Sequence, residues 1–412
     1  MAQILSGIGP VKSHSRGLIL DWAIRSLRRH RHVEAGSLDK PVGAVIRSAV
    51  LPEEGAPIFN RLKRMAALVL ASFAAVATLV PAEASPASPR IVAVGDLHGD
   101  YEAYVEIIRA AGLVDERNRW AAGDAIFVQT GDVADRGPDS LRIMRHLVRI
   151  QRQAERAGGR VVVLVGNHEA MNVVGDLRYV HPGEYAAFAD RNSRRRRENA
   201  YRANRESIED FYRRADPSML ADAVKVAWTA DTPLGWVEHR AAWAPGGELG
   251  RWVIGNPAVV LIDGTLFAHG GIGAAYASVP IDEINRRVAA ALTAGDASPD
   301  AIINDPLGPL WYRGLATRGP GPETGGAAPL SVEDELDLVL LAFGARRMVI
   351  GHTPSLDGIR LLHGGRLARI DSGIAAAYGG RRTFLEIRGG AMVAHLVDRS
   401  VAPAVASDAR RR

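Results

Sequence analysis

Five short stretches place acids, imidazoles and an amide directly after apolar runs: "VAVGDLHGD" (92–100), "QTGDVADRG" (129–137), "VGNHE" (165–169), "FAHGG" (267–271) and "VIGHT" (349–353). In extended backbone, residues two apart face the same side, so Asp96 and His98 present a carboxylate oxygen and an imidazole nitrogen to one point. That donor pair suits Mn, Fe or Zn, although a lone D-x-H is also the pattern of a surface ion pair. The weight comes from what accompanies it. Asp132, Asn167, His168, His269 and His352 follow their own apolar runs in the same way. A carboxylate can bridge two cations, and two cations about 3.5–4 Å apart clamp the attacking and leaving oxygens of phosphoryl transfer. The set reads as a two-metal site.

The elements that must position these residues follow an α/β pattern from Ile91 onward. Short β-branched runs, "RIVAVGD", "DAIFVQTGD" and "RVVVLVGNHE", alternate with helical periodicity at about 100–112 and 138–157. In open α/β sheets ligands bind outside the carboxyl ends of strands, which is where each polar group falls, so the groups are expected to converge. The stretch 175–250 is Arg-rich and Trp-containing and reads as an inserted helical lobe or cap. Strand-like runs resume at 258–271, 346–353 and 366–373, and "RRTFLEIRGGAMVAHLV" reads as a closing hairpin around Gly389 and Gly390. "GLATRGPGPETGGAAPLS" has loop composition, and no internal repeat is visible.

With 412 residues and 47% hydrophobic content, the chain has enough apolar side chains for a full core. It contains no cysteine, which excludes disulfides, a thiolate nucleophile and a Cys-ligated metal, and leaves oxygen and imidazole as ligands. The net charge of +5 resides in residues 1–84, where three Lys and eight Arg face six acids; beyond them 40 bases balance 40 acids. A nucleic-acid partner is therefore not expected, and the local run "RNSRRRREN" (191–199) reads as solvated charge. Residues 61–85 run from a basic lead through an apolar segment (65–80) to Ala82-Glu83-Ala84. That is the order of a secretory signal with an A-x-A cleavage site. The apolar segment is shorter than the roughly 20 residues that span a bilayer, so a retained membrane anchor is the lesser reading. The expected layout is a doubtful extension at 1–61 with initiation near Leu62 or Met65, a signal peptide at 62–84 and a linker at 85–89. A single domain follows at 90–398, then a flexible tail at 399–412. Export to the periplasm, with no stable membrane insertion after cleavage, follows from that layout.

In this order, the GDxHG, GDxxDRG, GNHE and HGG blocks resemble those of the metallophosphoesterases and, within them, the phosphoprotein phosphatase superfamily. "GNHEAMNVVGDLRYVHPGEYAAF", "PGGELGRW", "LWYRG" and "GHTP" make the chain similar to the bacterial Shewanella-like phosphatases. The resemblance spans about Ile91 to Leu396. It implies a calcineurin-like α/β fold, with two mixed β-sheets face to face, flanked by helices, plus the inserted lobe. It also implies two metal ions, Mn, Fe or Zn: Asp96, His98 and Asp132 would hold the first, and Asp132, Asn167, His269 and His352 the second. Water trapped between them would lose a proton and attack phosphorus in line. His168 would protonate the leaving group, with Asp135 on its other nitrogen, and Arg136 and Arg313 would clamp the phosphate. Ala134 stands where many eukaryotic relatives carry valine, and for their phosphate-binding tyrosine this chain offers only Tyr378.

The expected activity is metal-dependent hydrolysis of phosphoric monoesters, on phosphoserine, phosphothreonine or phosphotyrosine in proteins. A diadenosine polyphosphate or nucleotide hydrolase is the runner-up. A catalytically silent metal- or phosphate-binding module is the alternative from outside the enzymes.

Overall fold

The computed structural model describes residues 88–318 and 330–397. The extension at 1–61, the signal at 62–84, most of the linker, the tail at 399–412 and the Gly/Pro-rich part of the loop after Arg318 lie outside the described residues.

The first half alternates strand and helix as the periodicity predicts. It runs β1 (Ile91–Val94), α1 (Tyr101–Ala110), β2 (Ile126–Gln129), α2 (Ser140–Arg156), β3 (Arg160–Val163) and α3 (Asn167–Val174). Asp100 caps α1 by accepting the Ala103 N–H at 2.9 Å. On α2, Leu141, Met144, Leu147, Ile150 and Ala154 recur at three and four spacings, and all are buried. The Tyr104 hydroxyl and His146 Nδ1, 2.8 Å apart, join α1 to α2 beneath the sheet.

The lobe is helical, as expected: α4 (Pro182–Phe188), α5 (Ser193–Ala203), α6 (Arg205–Ala215), α7 (Ala221–Asp231), α8 (Trp236–Trp243) and α9 (Glu248–Ile254). It has its own small core of Leu177, Tyr201, Ile208, Val224, Trp228 and Trp236. The chain then returns through β4 (Val259–Ile262), β5 (Thr265–Ala268), α10 (Ile281–Ala294), α11 (Val332–Ala342), β6 (Arg347–Ile350), β7 (Arg360–Leu362), β8 (Leu367–Arg369), β9 (Thr383–Arg388) and β10 (Ala391–Leu396). The run 258–271 is two strands: Asp263 and Gly264, both at positive φ, make a two-residue turn that folds β4 back onto β5. The β9–β10 hairpin turns at Gly389 and Gly390, as the sequence predicts.

Two five-stranded mixed sheets result, in the orders β10-β9-β1-β2-β3 and β4-β5-β6-β8-β7. Strands β1, β2 and β3 run parallel to one another, as do β5, β6 and β8. Strand alternation divides the apolar side chains between two layers. Ile91, Ala93, Val128, Phe267, Val349, Leu385 and Ile387 fill the space between the sheets, whereas Val92, Val94, Phe127, Leu266, Met348 and Ile350 face the helices. Parallel strands in each sheet put their carboxyl ends at one edge, and the polar groups singled out in the sequence leave from that edge.

Candidate metal centre

Asp132, three residues beyond β2 and only 2% exposed, is the hub. Its Oδ2 lies 3.3 Å from His269 Nε2, 3.7 Å from His98 Nε2 and 3.9 Å from His168 Nε2. Its Oδ1 accepts the His168 N–H at 3.0 Å. Asp96 joins through an oxygen 4.0 Å from His98 Nε2 and also accepts the His352 N–H. Asn167 Oδ1 sits 2.9 Å from His269 Nε2. The seven groups expected to meet do meet. One premise differs: His98 is not in extended backbone but at φ +42°, so the Asp96–His98 pairing arises from a turn rather than from strand alternation.

The tautomers implied by the outer contacts show what the centre can hold. His269 Nδ1 lies 2.8 Å from the Thr130 carbonyl and His98 Nδ1 lies 3.0 Å from the Ala134 carbonyl, so each donates its proton outward. Each Nε2 then turns a lone pair toward carboxylate or amide oxygen. His352 Nε2 is buried with no hydrogen-bond partner. Lone pairs and carboxylates converging on one point repel unless a cation lies between them, and an outward Nδ1 bond is the usual support of a ligating histidine. The donor set therefore fits divalent metal. Two groups have donor atoms within 4.8 Å of one another: His98, Asp132 and His168, and Asp132, His269 and His352. The first counts His168 where the sequence reading has Asp96.

The electrostatics have the same shape. Burial, followed by the charges of Asp371 and Asp132, raises the Asp96 carboxyl well above its ordinary value. Burial also opposes charge on Asp132, but His269, His168 and His98 around it hold it well below the carboxylate range. Burial pushes His98 down to about 3, and with His269 and Arg313 it pushes His352 well down. His168 and His269 differ: despite burial, the Asp132 charge raises both above the ordinary imidazole value, and Asp135 adds to the effect on His168. His168 Nδ1 is 2.6 Å from Asp135 Oδ2, and Asp135 Oδ1 accepts from Asn172 Nδ2 at 2.8 Å.

The arginines are placed unequally. The Arg136 guanidinium lies between Tyr179 and Tyr378, 4.5 and 5.1 Å from their ring centres, and its Nε is buried without a partner. Arg313 Nη1 donates to the His352 carbonyl and to Thr353 Oγ1, both at 3.0 Å, and so braces the His352 turn. Tyr378 is at the site after all, its ring 5.3 Å from that of His98.

Sequence reasoning missed two carboxylates. Asp371 is 3% exposed and, chiefly through burial, is raised to about 6; it sits two residues past β8, where the strand-end rule would have found it. Glu169, the last letter of GNHE, has the larger part. Its Oε2 accepts the N–H groups of Asp132 (2.8 Å) and Gly166 (2.9 Å), and its Oε1 those of Val133 (2.9 Å) and Ala134 (3.0 Å). Gly166 must be glycine here, because a Cβ would stand 2.2 Å from Asp132 Oδ1. Glu169→Ala would strand four buried donors. It is expected to lose at least about 3 kcal/mol of stability and most of the bound metal, checked by chemical denaturation and elemental analysis; a variant as stable as the parent would dismiss the anchoring role.

Comparisons with known proteins agree with this geometry. A family model described as calcineurin-like phosphoesterase matches residues 89–356. An uncharacterized protein of Schizosaccharomyces pombe is 32% identical, over 74% of this chain and 79% of its own length. Shewanella-like protein phosphatase 2 of Arabidopsis thaliana is 31% identical, over 73% of this chain and 75% of its own. Among solved structures, the cold-active protein-tyrosine phosphatase of a psychrophilic Shewanella species superposes with a TM-score of 0.54 at 23% identity, covering 76% of this chain and 81% of that one, a likeness of fold. With the two mixed sheets, the strand-end donor set and a match over most of its length, the chain belongs to the calcineurin-like phosphoesterase family.

Proposed function

We propose that the protein is a metal-dependent phosphoric monoester hydrolase that acts on phosphorylated proteins. The observation that carries this reading is the convergence on Asp132 of imidazoles from four separate strand ends, with the Nδ1 atoms of His98 and His269 bonded outward to carbonyls. The phosphatase names of the Arabidopsis relative and of the Shewanella structure support the substrate class. Asp96, His98 and Asp132 would hold one ion, and Asp132, Asn167, His269 and His352 a second. Asp96 is assigned in place of His168 because its buried carboxylate needs positive compensation, whereas the His168 ring is paired with the Asp135 carboxylate rather than with a backbone carbonyl, as the rings of His98 and His269 are. Cations at these positions supply Lewis acidity to the phosphate oxygens and activate water; manganese is the proposed native metal, with Fe or Zn as the competing assignments.

The chain's own groups do the rest. Arg136, held between two tyrosine rings, offers its guanidinium to the phosphate, and Arg313 serves the same phosphate while bracing His352. His168 presents Nε2 toward the centre with its proton, and Asp135 fixes the ring and keeps that proton on until an alkoxide leaves. The test is elemental analysis of the purified protein, followed by turnover of a phosphopeptide panel and of diadenosine polyphosphates before and after chelation. Chelator-sensitive phosphopeptide turnover is expected. A preference for the dinucleotides would establish the runner-up, and bound metal without turnover would establish the silent module.

His168→Asn is expected to lower kcat on phosphoserine peptides by about 10²–10⁴-fold, with metal content unchanged. The loss should be much smaller on p-nitrophenyl phosphate, whose phenolate leaves without a proton. Equal losses on both substrates would remove His168 as the acid.

Export belongs to the same proposal. It is supported by the basic, apolar and small-residue order of 61–85 and implies a periplasmic enzyme released from its signal; the competing form is anchored through 65–80. N-terminal sequencing of the mature protein should begin near Ser85, and finding residues 1–60 intact would refute it.

A further inference from the structure

We propose that the exposed face of α2 is a docking surface for an acidic polypeptide segment beside the phosphorylated residue of the substrate, an inference that rests on the phosphoprotein reading above. Arg142, Arg145, Arg149, Arg152 and Arg156 recur at spacings of three and four, so they form one row along the helix. All five are exposed. Among the described residues none of the five guanidiniums has an ion-pair or hydrogen-bond partner, and the Arg142 guanidinium lies 3.6 Å over the Tyr101 ring.

Three arginines of the lobe stand in contrast. Arg197 is bonded to two carbonyls, Arg196 to Asp190 and Glu238, and Arg205 to Glu209. Arg196 and Arg205 are neutralised within the fold. The α2 row is not, although like charges at these spacings repel one another and work against the helix. Five uncompensated guanidiniums in a line call for an anion of matching length.

The row begins beside segments that continue from the site loops. Its first depression, about 440 Å³, is lined by Pro138 and Tyr101 together with Arg142, Arg145 and Arg149. Pro138 is two residues past Arg136, and Tyr101 follows the loop that carries Asp96 and His98. A second depression of about 330 Å³ continues the first through Arg145 and Arg149 to Arg156. From Arg142 to Arg156 the row rises about 21 Å, the length of about six extended residues. Other polyanions fit less well. The apolar residues Leu141, Ile143, Met144, Leu147 and Ile150 of α2 are buried, so the row lacks the apolar anchors of a membrane-surface helix. Tyr101, which lines the first depression, has a face covered by Arg142, and no Phe, Tyr or Trp is among the residues that line the second, so the row lacks a succession of rings for stacking single-stranded bases.

The test uses the full metal-loaded chain and fluorescence anisotropy with three probes: an unphosphorylated peptide carrying six consecutive Asp and Glu, a Ser/Gly peptide of equal length, and a short duplex DNA; flotation with phosphatidylglycerol vesicles is run alongside. The acidic peptide is expected to bind about tenfold more tightly than the neutral one at low salt. That advantage should disappear at about 0.5 M salt and in the triple variant Arg145→Glu/Arg149→Glu/Arg152→Glu. Equal binding of the two peptides by the parent protein, or a preference that survives charge reversal, overturns the proposal, as does tighter Arg-dependent binding of the DNA or the vesicles. Hydrolysis of the phosphorylated peptides is read separately. Turnover without a docking preference strikes this inference and leaves the phosphatase reading standing, whereas docking without turnover strikes the phosphatase reading and leaves the surface.

Discussion

One carboxylate holds the centre together. Glu169 accepts four backbone N–H groups, three from consecutive residues of the loop after β2 and one from Gly166 at the head of α3. Those donors have no other route to a partner, because the loop has left the sheet and lies buried between neighbouring strand ends. The loop, once fixed, organises the next: the Asp132 carbonyl accepts from Leu97 and His98, and the Val133 carbonyl from Gly99. The positions of Asp96, His98, Asp132 and His168 thus derive from one side chain that touches no substrate in the proposed reaction.

The arrangement is unfavourable by itself. Asp96, Asp132, Glu169 and Asp371 are all at most 3% exposed, and their mutual repulsion, added to burial, raises Asp96, Glu169 and Asp371. The backbone is also strained there: His98, Asp132, Asp135, Arg136 and His352 all have positive φ, five of the eight non-glycine residues so disposed among the described ones. Strain and like charge persist together where the surrounding fold overdetermines them, and cations between the oxygens and lone pairs would offset the electrostatic part. The rest is carried by the two layers of apolar packing around ten strands, which are rigid enough to hold the loops in place.

Most of this was legible in the sequence, for a physical reason. Donors directly after β-branched runs mark strand ends, and strand ends of parallel sheets lie together, so chain-distant motifs pointed to one place before any coordinate was known. Asp371 obeys the same rule and escaped only because "ARID" lacks a histidine or glycine to draw the eye. Glu169 escaped for a different reason: its partners are backbone groups, which carry no sequence signature. Tyr378 could be named in the sequence only as a candidate, because its place beside Arg136 depends on how the chain closes after β8. The turn at Asp263 and Gly264 carried its D-G signal in plain view, but the apolar run on both sides hid the break between two strands.

The lobe shows how the chemistry and its surroundings are joined. Glu184 of α4 is 1% exposed, and its Oε1 accepts from the Asp135 N–H at 3.0 Å and from the Ser140 hydroxyl at 2.5 Å. Burial, with the Asp135 charge next, raises it to about 8. Arg240 of α8 donates to the Asn172 carbonyl, while Asn172 holds Asp135 and the His168 carbonyl. The residue that orients His168 is therefore gripped at its backbone by one lobe helix and at its side chain by α3, which a second lobe helix braces. The strand ends and Glu169 gather the donors around Asp132. The left-handed turn at Asp135, which pairs with His168 at the head of α3, is fastened by the lobe as well, so a segment inserted between β3 and β4 helps to position the groups proposed for catalysis.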